Sequence, residues 1–228
     1  MEQKNFTITG FPLIKIQSKY RIESLQHGHL YAKTLEYYRE LERSTGDAAV
    51  GDLFDGMFHV NTGELRLKET GETIELNDTL IRTSASDNCV FCMLCIDPRT
   101  QRFAFSDEQR EKLKSFGDTA LIITDSDEFI SRVKNAANRQ GITAYFRPIN
   151  YFDETEDYVN IVASMFSGVW NVAFWKRKAY AYQQECRFVF LTNESPCDHI
   201  ELDIGDISDI SVIVPVEAAL KGIVEKRS

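Results

Sequence analysis

No stretch of this sequence approaches the roughly 18 to 20 consecutive apolar residues of a membrane-spanning helix, and the polar N-terminal residues 1–10 lack the apolar centre of a secretory signal. The expectation is a chain that stays in the cytoplasm, away from membranes. Basic charge is also short: 26 lysines and arginines stand against 35 aspartates and glutamates, a net charge of −9. That balance opposes the non-specific, phosphate-driven affinity of a general nucleic-acid coat protein. There is no Gly-x-Gly-x-x-Gly, no Walker-type Gly-Lys-Ser/Thr and no Gly-x-Ser-x-Gly run. A Rossmann dehydrogenase, a P-loop enzyme and an α/β-hydrolase therefore lack sequence support.

Metal ligands are scarce in the same way. His27, His29, His59 and His199 show no HExxH or similar spacing, so nothing points to a hydrolytic metal centre. Five cysteines are an odd number, and Cys89, Cys92 and Cys95 lie in or beside the apolar run 90–96. Free thiols in a reducing compartment fit better than a secreted disulfide framework. The Cys-x-x-Cys-x-x-Cys spacing resembles metal or iron-sulfur ligands, but 88–97 reads as a buried strand, which would turn Cys92 away from the other two. No metal is expected here, because closed zinc sites need four convergent ligands.

What the chain does contain is core-forming bulk: 43% apolar and 27% charged residues, with 15 Phe, 9 Tyr and 2 Trp. This matches an ordinary globular protein needing no staples, read as one α+β domain over 1–228. Strands are expected at 11–17, 58–60, 65–67, 121–124, 142–146, 187–191, 200–203 and 210–214. Helices are expected at 19–26, stopped by Gly28, and from a Thr34 cap to Gly46. Further helices are expected at 107–116, 126–139 and, after Pro215, 216–224. Turns are expected at Asn61-Thr62-Gly63 and 69–71, and an antiparallel sheet is the simplest arrangement for 57–96. The Gly- and Asp-rich stretch 45–56 reads as a loop over a site or an exposed hinge. The acidic run 153–157 reads as a solvated loop, which makes a metal-dependent nuclease unattractive.

Two local features carry chemistry. Lys176, Arg177 and Lys178 stand between Trp175 and Tyr180, the interleaving of cations and rings that holds single strands; a solvated turn is the plainer reading. Just beyond, Gln183 and Glu185 are two residues apart before a strongly apolar strand, so extended backbone would aim both to one face. Cleaving the nicotinamide–ribose bond creates an oxocarbenium-like sugar, which a carboxylate can stabilise while it orients or deprotonates the incoming nucleophile. Glu185 suits that role, with Gln183 positioning the acceptor or the ribose hydroxyls. The competing reading is an ordinary ion pair with Arg187, on the same face.

The order of Ile14-Lys15-Ile16-Gln17, the helical stretch 18–27, Gly28-His29-Leu30, Tyr182-Gln183-Gln184-Glu185 before an apolar strand, and a closing strand and helix over 207–223 resembles the ADP-ribosyltransferase superfamily. It is most similar to the bacterial toxins of the DarT kind, which modify nucleic-acid bases using NAD. The resemblance implies a split antiparallel sheet, NAD as the substrate bound in a cleft between strands, and Glu185 as the catalytic residue assisted by Gln183. It places Gln17 where the family usually has a histidine; glutamine can hydrogen-bond an amide but does not ionise. Tyr37 or Tyr38 would stack on nicotinamide or adenine, helical spacing making Tyr38 the more buried of the two. Arg39, Arg43 and Arg82 compete for the phosphates, which favour bidentate arginine, with Arg39 and Arg82 preferred. A second resemblance, through Glu36-Tyr37-Tyr38-Arg39, Gly51-Asp52, Phe54-Asp55-Gly56 and 182–187, is to uncharacterised bacterial and phage-associated proteins.

The expected function is therefore ADP-ribosyl transfer from NAD to a DNA or RNA base, in a toxin or phage-defence effector restrained by a neutralising antitoxin protein. The rivals are a catalytically inactive nucleotide- or protein-binding module in phage defence, and an interaction protein with no nucleotide site.

Overall fold

A computed structural model describes residues 10–46, 52–66, 70–83, 88–95, 105–153, 158–192 and 197–221. Local chemistry sets the first elements. Strand β1 (Leu13–Gln17) runs into helix α1 (Lys19–Gln26). Gly28, at φ 100°, turns the chain where an added Cβ would meet the Gly205 backbone at 2.7 Å. Strand β2 (His29–Thr34) follows, a strand with no counterpart in the sequence expectations. The Thr34 hydroxyl then accepts the Tyr37 N–H at 3.1 Å and opens α2 (Leu35–Thr45), which Gly46 ends in left-handed backbone at φ 70°.

Strands β3 (Met57–Arg66) and β4 (Thr73–Arg82) form a separate antiparallel hairpin. The turn expected at Asn61-Thr62-Gly63 does not form. β3 continues through it, with Thr62 opposite Asn77 and Gly63 opposite Leu76. Pairing along the ladder overrides a local turn preference that is weak by itself. Then come β5 (Cys89–Cys95), α3 (Asp107–Lys114), β6 (Thr119–Ile123), α4 (Ser126–Arg139) and β7 (Thr143–Pro148). Helix α3 opens on a capping box between Ser106 and Gln109. The short strands β8 (Asn150–Phe152) and β9 (Trp175–Arg177) pair in parallel. Between them lie α5 (Tyr158–Met165) and a 3-10 segment, Val169–Phe174. A second 3-10 segment, Lys178–Gln183, leads into β10 (Glu185–Leu191), followed by β11 (His199–Asp203), β12 (Ser211–Pro215) and α6 (Val216–Leu220). Residues 222–224 of the helix expected over 216–224, and residues 154–157 of the acidic run, lie outside the described residues.

The eight strands of the main sheet are antiparallel throughout, and β5 is their branch point. One edge of β5 pairs with β10 from Leu94 opposite Glu185 to Cys89 opposite Phe190, and β7 lies on the far side of β10. The other edge divides. Strand β2 pairs near its start, Lys33 opposite Val90, and β1 near its end, Ile14 opposite Leu94. β2 carries β11, while β1 carries β6 and then β12. A mixed α and β chain built on a large antiparallel sheet is thus what the sequence anticipates.

Alternation along the strands gives the sheet two different faces. On the first, Leu13, Phe91, Leu121, Cys186, Phe188 and Phe190 pack with Ile22 and Leu25 of α1 and Phe129 and Val133 of α4 in one apolar core. On the second, Ile14, Ile16 and Ile122 pack beneath α3 and α6. A separate group on that face joins Val90 and Val189 to Leu35, Ala173 and Phe174. Charged side chains fill the space between those two groups. Among the described residues, no helix is long and apolar enough to cross a membrane.

Candidate functional site

The site begins at the junction between the second 3-10 segment and β10. Gln184 there takes left-handed backbone, φ 42° and ψ 49°. Gln183 and Glu185 do converge, through this kink rather than through the extended backbone expected from their spacing. Both accept from the Lys176 ammonium, Gln183 Oε1 at 2.7 Å and Glu185 Oε2 at 3.1 Å. The other Glu185 oxygen accepts the Arg187 Nε–H at 2.6 Å. The guanidinium of Arg187 grips both carboxylate oxygens of Asp55, at 2.9 and 3.1 Å, and donates to the Ala173 carbonyl at 3.0 Å. The Glu185 backbone N–H donates to the Tyr151 hydroxyl at 2.8 Å. Glu185, Arg187, Asp55 and Lys176 are all buried. Two carboxylates and two cations thus satisfy one another out of water, the arrangement a buried charge requires.

Burial works against the charged form of Glu185, but Arg187 and then Lys176 outweigh it and hold the carboxyl far below the ordinary range. Burial likewise opposes the charge on Lys176, yet Glu185 and Asp55 raise its pKa above the usual lysine value. The Cys92 thiol is pushed up to about 12 by burial and by Glu185, so it stays protonated in this setting. Burial also raises the Tyr38 hydroxyl above its ordinary range.

Asp55 enters this network from the stretch expected to be a loop over a site or an exposed hinge. The described part, 52–56, is folded inward, with Asp52 and Asp55 buried, which rules out the exposed hinge. Asp52 accepts the Phe54 N–H at 3.0 Å and the Arg177 guanidinium at 3.0 Å, and Arg177 lies over the Phe54 ring at 4.4 Å. This also corrects the reading of the Lys176–Lys178 cluster as a surface for single strands. Lys176 is 6% exposed and Tyr180 is buried, so their charge and ring are committed to the interior.

The remaining expected site residues divide. Arg39 is buried, donating to the Asp55 carbonyl and to Glu36, and Arg82 donates to the same Glu36 at 2.8 Å. Both guanidiniums therefore have carboxylate partners within the chain, and Arg43 pairs with Glu40 on the exposed side of α2. Tyr38 packs against the group containing Val90 and Val189, whereas Tyr37 is exposed and meets Tyr38 edge-on, with Lys33 over its ring. Gln17 ends β1 opposite Thr119, and its side chain accepts from the adjacent Ser18 N–H at 3.4 Å. It does not line the cavity beside Glu185.

That cavity, of about 80 Å³, lies where β1 leaves β5. Its polar lining comprises Lys15, Gln183 and Glu185, and its walls include Ile14, Leu94 and Phe116. Lys15 donates to the Cys92 carbonyl at 2.6 Å and stands over the Phe91 ring. The pairing explains why that carbonyl is available. The Cys95 N–H points to Gln184, so odd residues of β5 turn their backbone groups toward β10 and Cys92 turns its own into the fork. Cys89, by contrast, sits in the first-face core, with its sulfur 3.8 Å from that of Cys197. The three cysteines of β5 do not converge, and no group of three or more metal-ligating side chains occurs among the described residues.

Asp55, Tyr151 and Lys15 were not among the residues the sequence singled out for this site, and Lys176 was singled out as a cation for single strands, not as the partner of Glu185. A usable signal also existed for Lys15, a charge inside an otherwise apolar strand. No family model, curated protein or solved structure matches the chain.

Proposed function

We propose that the chain is an ADP-ribosyltransferase-like enzyme that uses NAD as substrate, with Glu185 as the catalytic carboxylate and Gln183 beside it. The supporting observation is that these two side chains meet on the wall of one cavity at the fork of the sheet, with Glu185 held as an anion. As the bond between the nicotinamide nitrogen and ribose C1′ breaks, its electron pair leaves with nicotinamide and positive charge grows on the sugar. A fixed carboxylate stabilises that charge. Because Arg187 and Lys176 lower its pKa, Glu185 is a weak base and its contribution is electrostatic, while the acceptor's proton passes to solvent water as the new bond to C1′ forms. The cavity is below the ~300–1,000 Å³ of sites that enclose a whole cofactor, so it suits one ring of a dinucleotide.

The acceptor in this reading is a DNA or RNA base, and the biological setting is a toxin or phage-defence effector with a neutralising partner protein; both rest on the family resemblance. A second reading has one specific observation in its favour. Both Glu185 oxygens already have cationic partners, as in a buried network that serves only to hold a catalytically inactive binding module together. Incubation with labelled NAD and, separately, DNA, RNA or cell lysate decides between them. Transfer of label by the wild type, lost in Glu185→Gln, supports the enzyme. NAD binding with no transfer and no turnover supports the inactive module.

A further inference from the structure

Among the cations at the fork, Lys15 is the one without a carboxylate. Lys176 and Arg187 face Glu185 and Asp55, while no ion pair involves Lys15 among the described residues. An ammonium has three N–H donors, and the described partner of this one is the Cys92 carbonyl. Lys15 also shares the cavity with Gln183, with Glu185, whose charge Lys176 and Arg187 already neutralise, and with apolar walls from Ile14, Leu94 and Phe116. Burial lowers its pKa, an effect that Cys92 and Glu185 partly offset and Arg21 reinforces. A desolvated cation gains most from a partner that brings a negative charge with it. The apolar walls in turn require that partner to carry a hydrophobic body, which free phosphate lacks.

From this juxtaposition we infer that the fork cavity is a binding site for a small, flat organic carboxylate, paired with Lys15 and enclosed by the apolar walls. The inference goes beyond ADP-ribosyl transfer and needs no NAD, so failure of one does not entail failure of the other. It also differs from a purely structural role for Lys15, in which the side chain caps the Cys92 carbonyl and selects no ligand.

Benzoate and benzamide are matched probes, equal in shape and different in charge. Titration of the full chain by NMR is expected to show benzoate binding at least ~10-fold tighter than benzamide, a difference of about 1.4 kcal/mol. The preference should vanish in Lys15→Met and persist in Lys15→Arg. Selective labelling of lysine gives a readout that survives misfolding of any variant: in the wild type, the Lys15 side-chain resonances should shift with benzoate and not with benzamide. Absence of benzoate binding, equal affinity for the two probes, an unmoved Lys15 resonance, or a preference retained by Lys15→Met would overturn the inference.

Discussion

The two faces of β10 are built from the same seven residues and do opposite things. Cys186, Phe188 and Phe190 enter an apolar core shared with α1 and α4. Glu185 and Arg187, alternating with them, enter a buried network with Asp55 and Lys176 on the other side. The apolar face gains by removing area from water, at roughly 25 cal/mol per Å². On the charged face, ion attraction is offset by desolvation, so such a network is weak evidence for stability. The contrast assigns folding chiefly to the first face and leaves the second as the place of the proposed chemistry.

The largest expected effects come from single substitutions on each face. Phe188→Ala should cost ~3–5 kcal/mol through lost transfer and a cavity. Arg187→Met should cost a similar ~3–5 kcal/mol, because it leaves two buried carboxylates, Asp55 and Glu185, to the single cation Lys176. Denaturant unfolding measures both. Equal sensitivity at this level does not separate the faces, but replacing the whole network does. The combined variant Asp55→Leu, Lys176→Met, Glu185→Met, Arg187→Met should be between neutral and ~4 kcal/mol more stable, with NAD turnover lost. A chain that no longer unfolds cooperatively would show instead that the second face is also essential to the fold.

Acid gives a smaller and more selective effect. Glu185 has a folded pKa far below its unfolded value of about 4.3. Its contribution to stability is therefore complete above that unfolded value and is lost as pH falls toward the folded one. Unfolding free energies measured from pH 5 to pH 2 should decline less steeply for Glu185→Gln than for the wild type, while Phe188→Leu should keep the wild-type slope. The smallest effect is expected at Thr34→Ala, which removes the α2 cap for ~1 kcal/mol. Because α2 carries Arg39 toward Asp55, amide exchange should rise in α2 and leave the Phe188 core unchanged.

Much of the fold was legible because the first face obeys simple periodicity. The apolar runs of β6, β10 and β12, the helical spacing in α4, and the Thr34 and Gly46 boundaries of α2 all appear where the pattern places them. Short β2 was not expected, although exposed His29 and Tyr31 and half-buried Lys33 alternate with buried Leu30, Ala32 and Thr34 in the period-two pattern of a half-buried strand. The site was legible at Gln183, Glu185 and the Glu185–Arg187 pair, which lie within five residues of one another. Asp55 joins Arg187 across 132 positions of chain, and no local pattern predicts that a Gly- and Asp-rich stretch will fold inward to meet a buried guanidinium. The pairing of Arg82 was hidden for the same reason, since Glu36 lies 46 positions away, whereas Glu36 and Arg39 stand at i, i+3 on α2, a spacing the sequence does show.

The most direct test of a functional second face is release of nicotinamide from NAD by the full chain, with Glu185→Gln as the comparison and thermal unfolding as a check that both proteins are folded. Release by the wild type that falls at least ~100-fold in the folded variant, on the order of the effect of removing one preorganised electrostatic group, is the expected result. Equal release by both proteins, or none by the wild type with any acceptor present, would contradict the assignment of chemistry to this face.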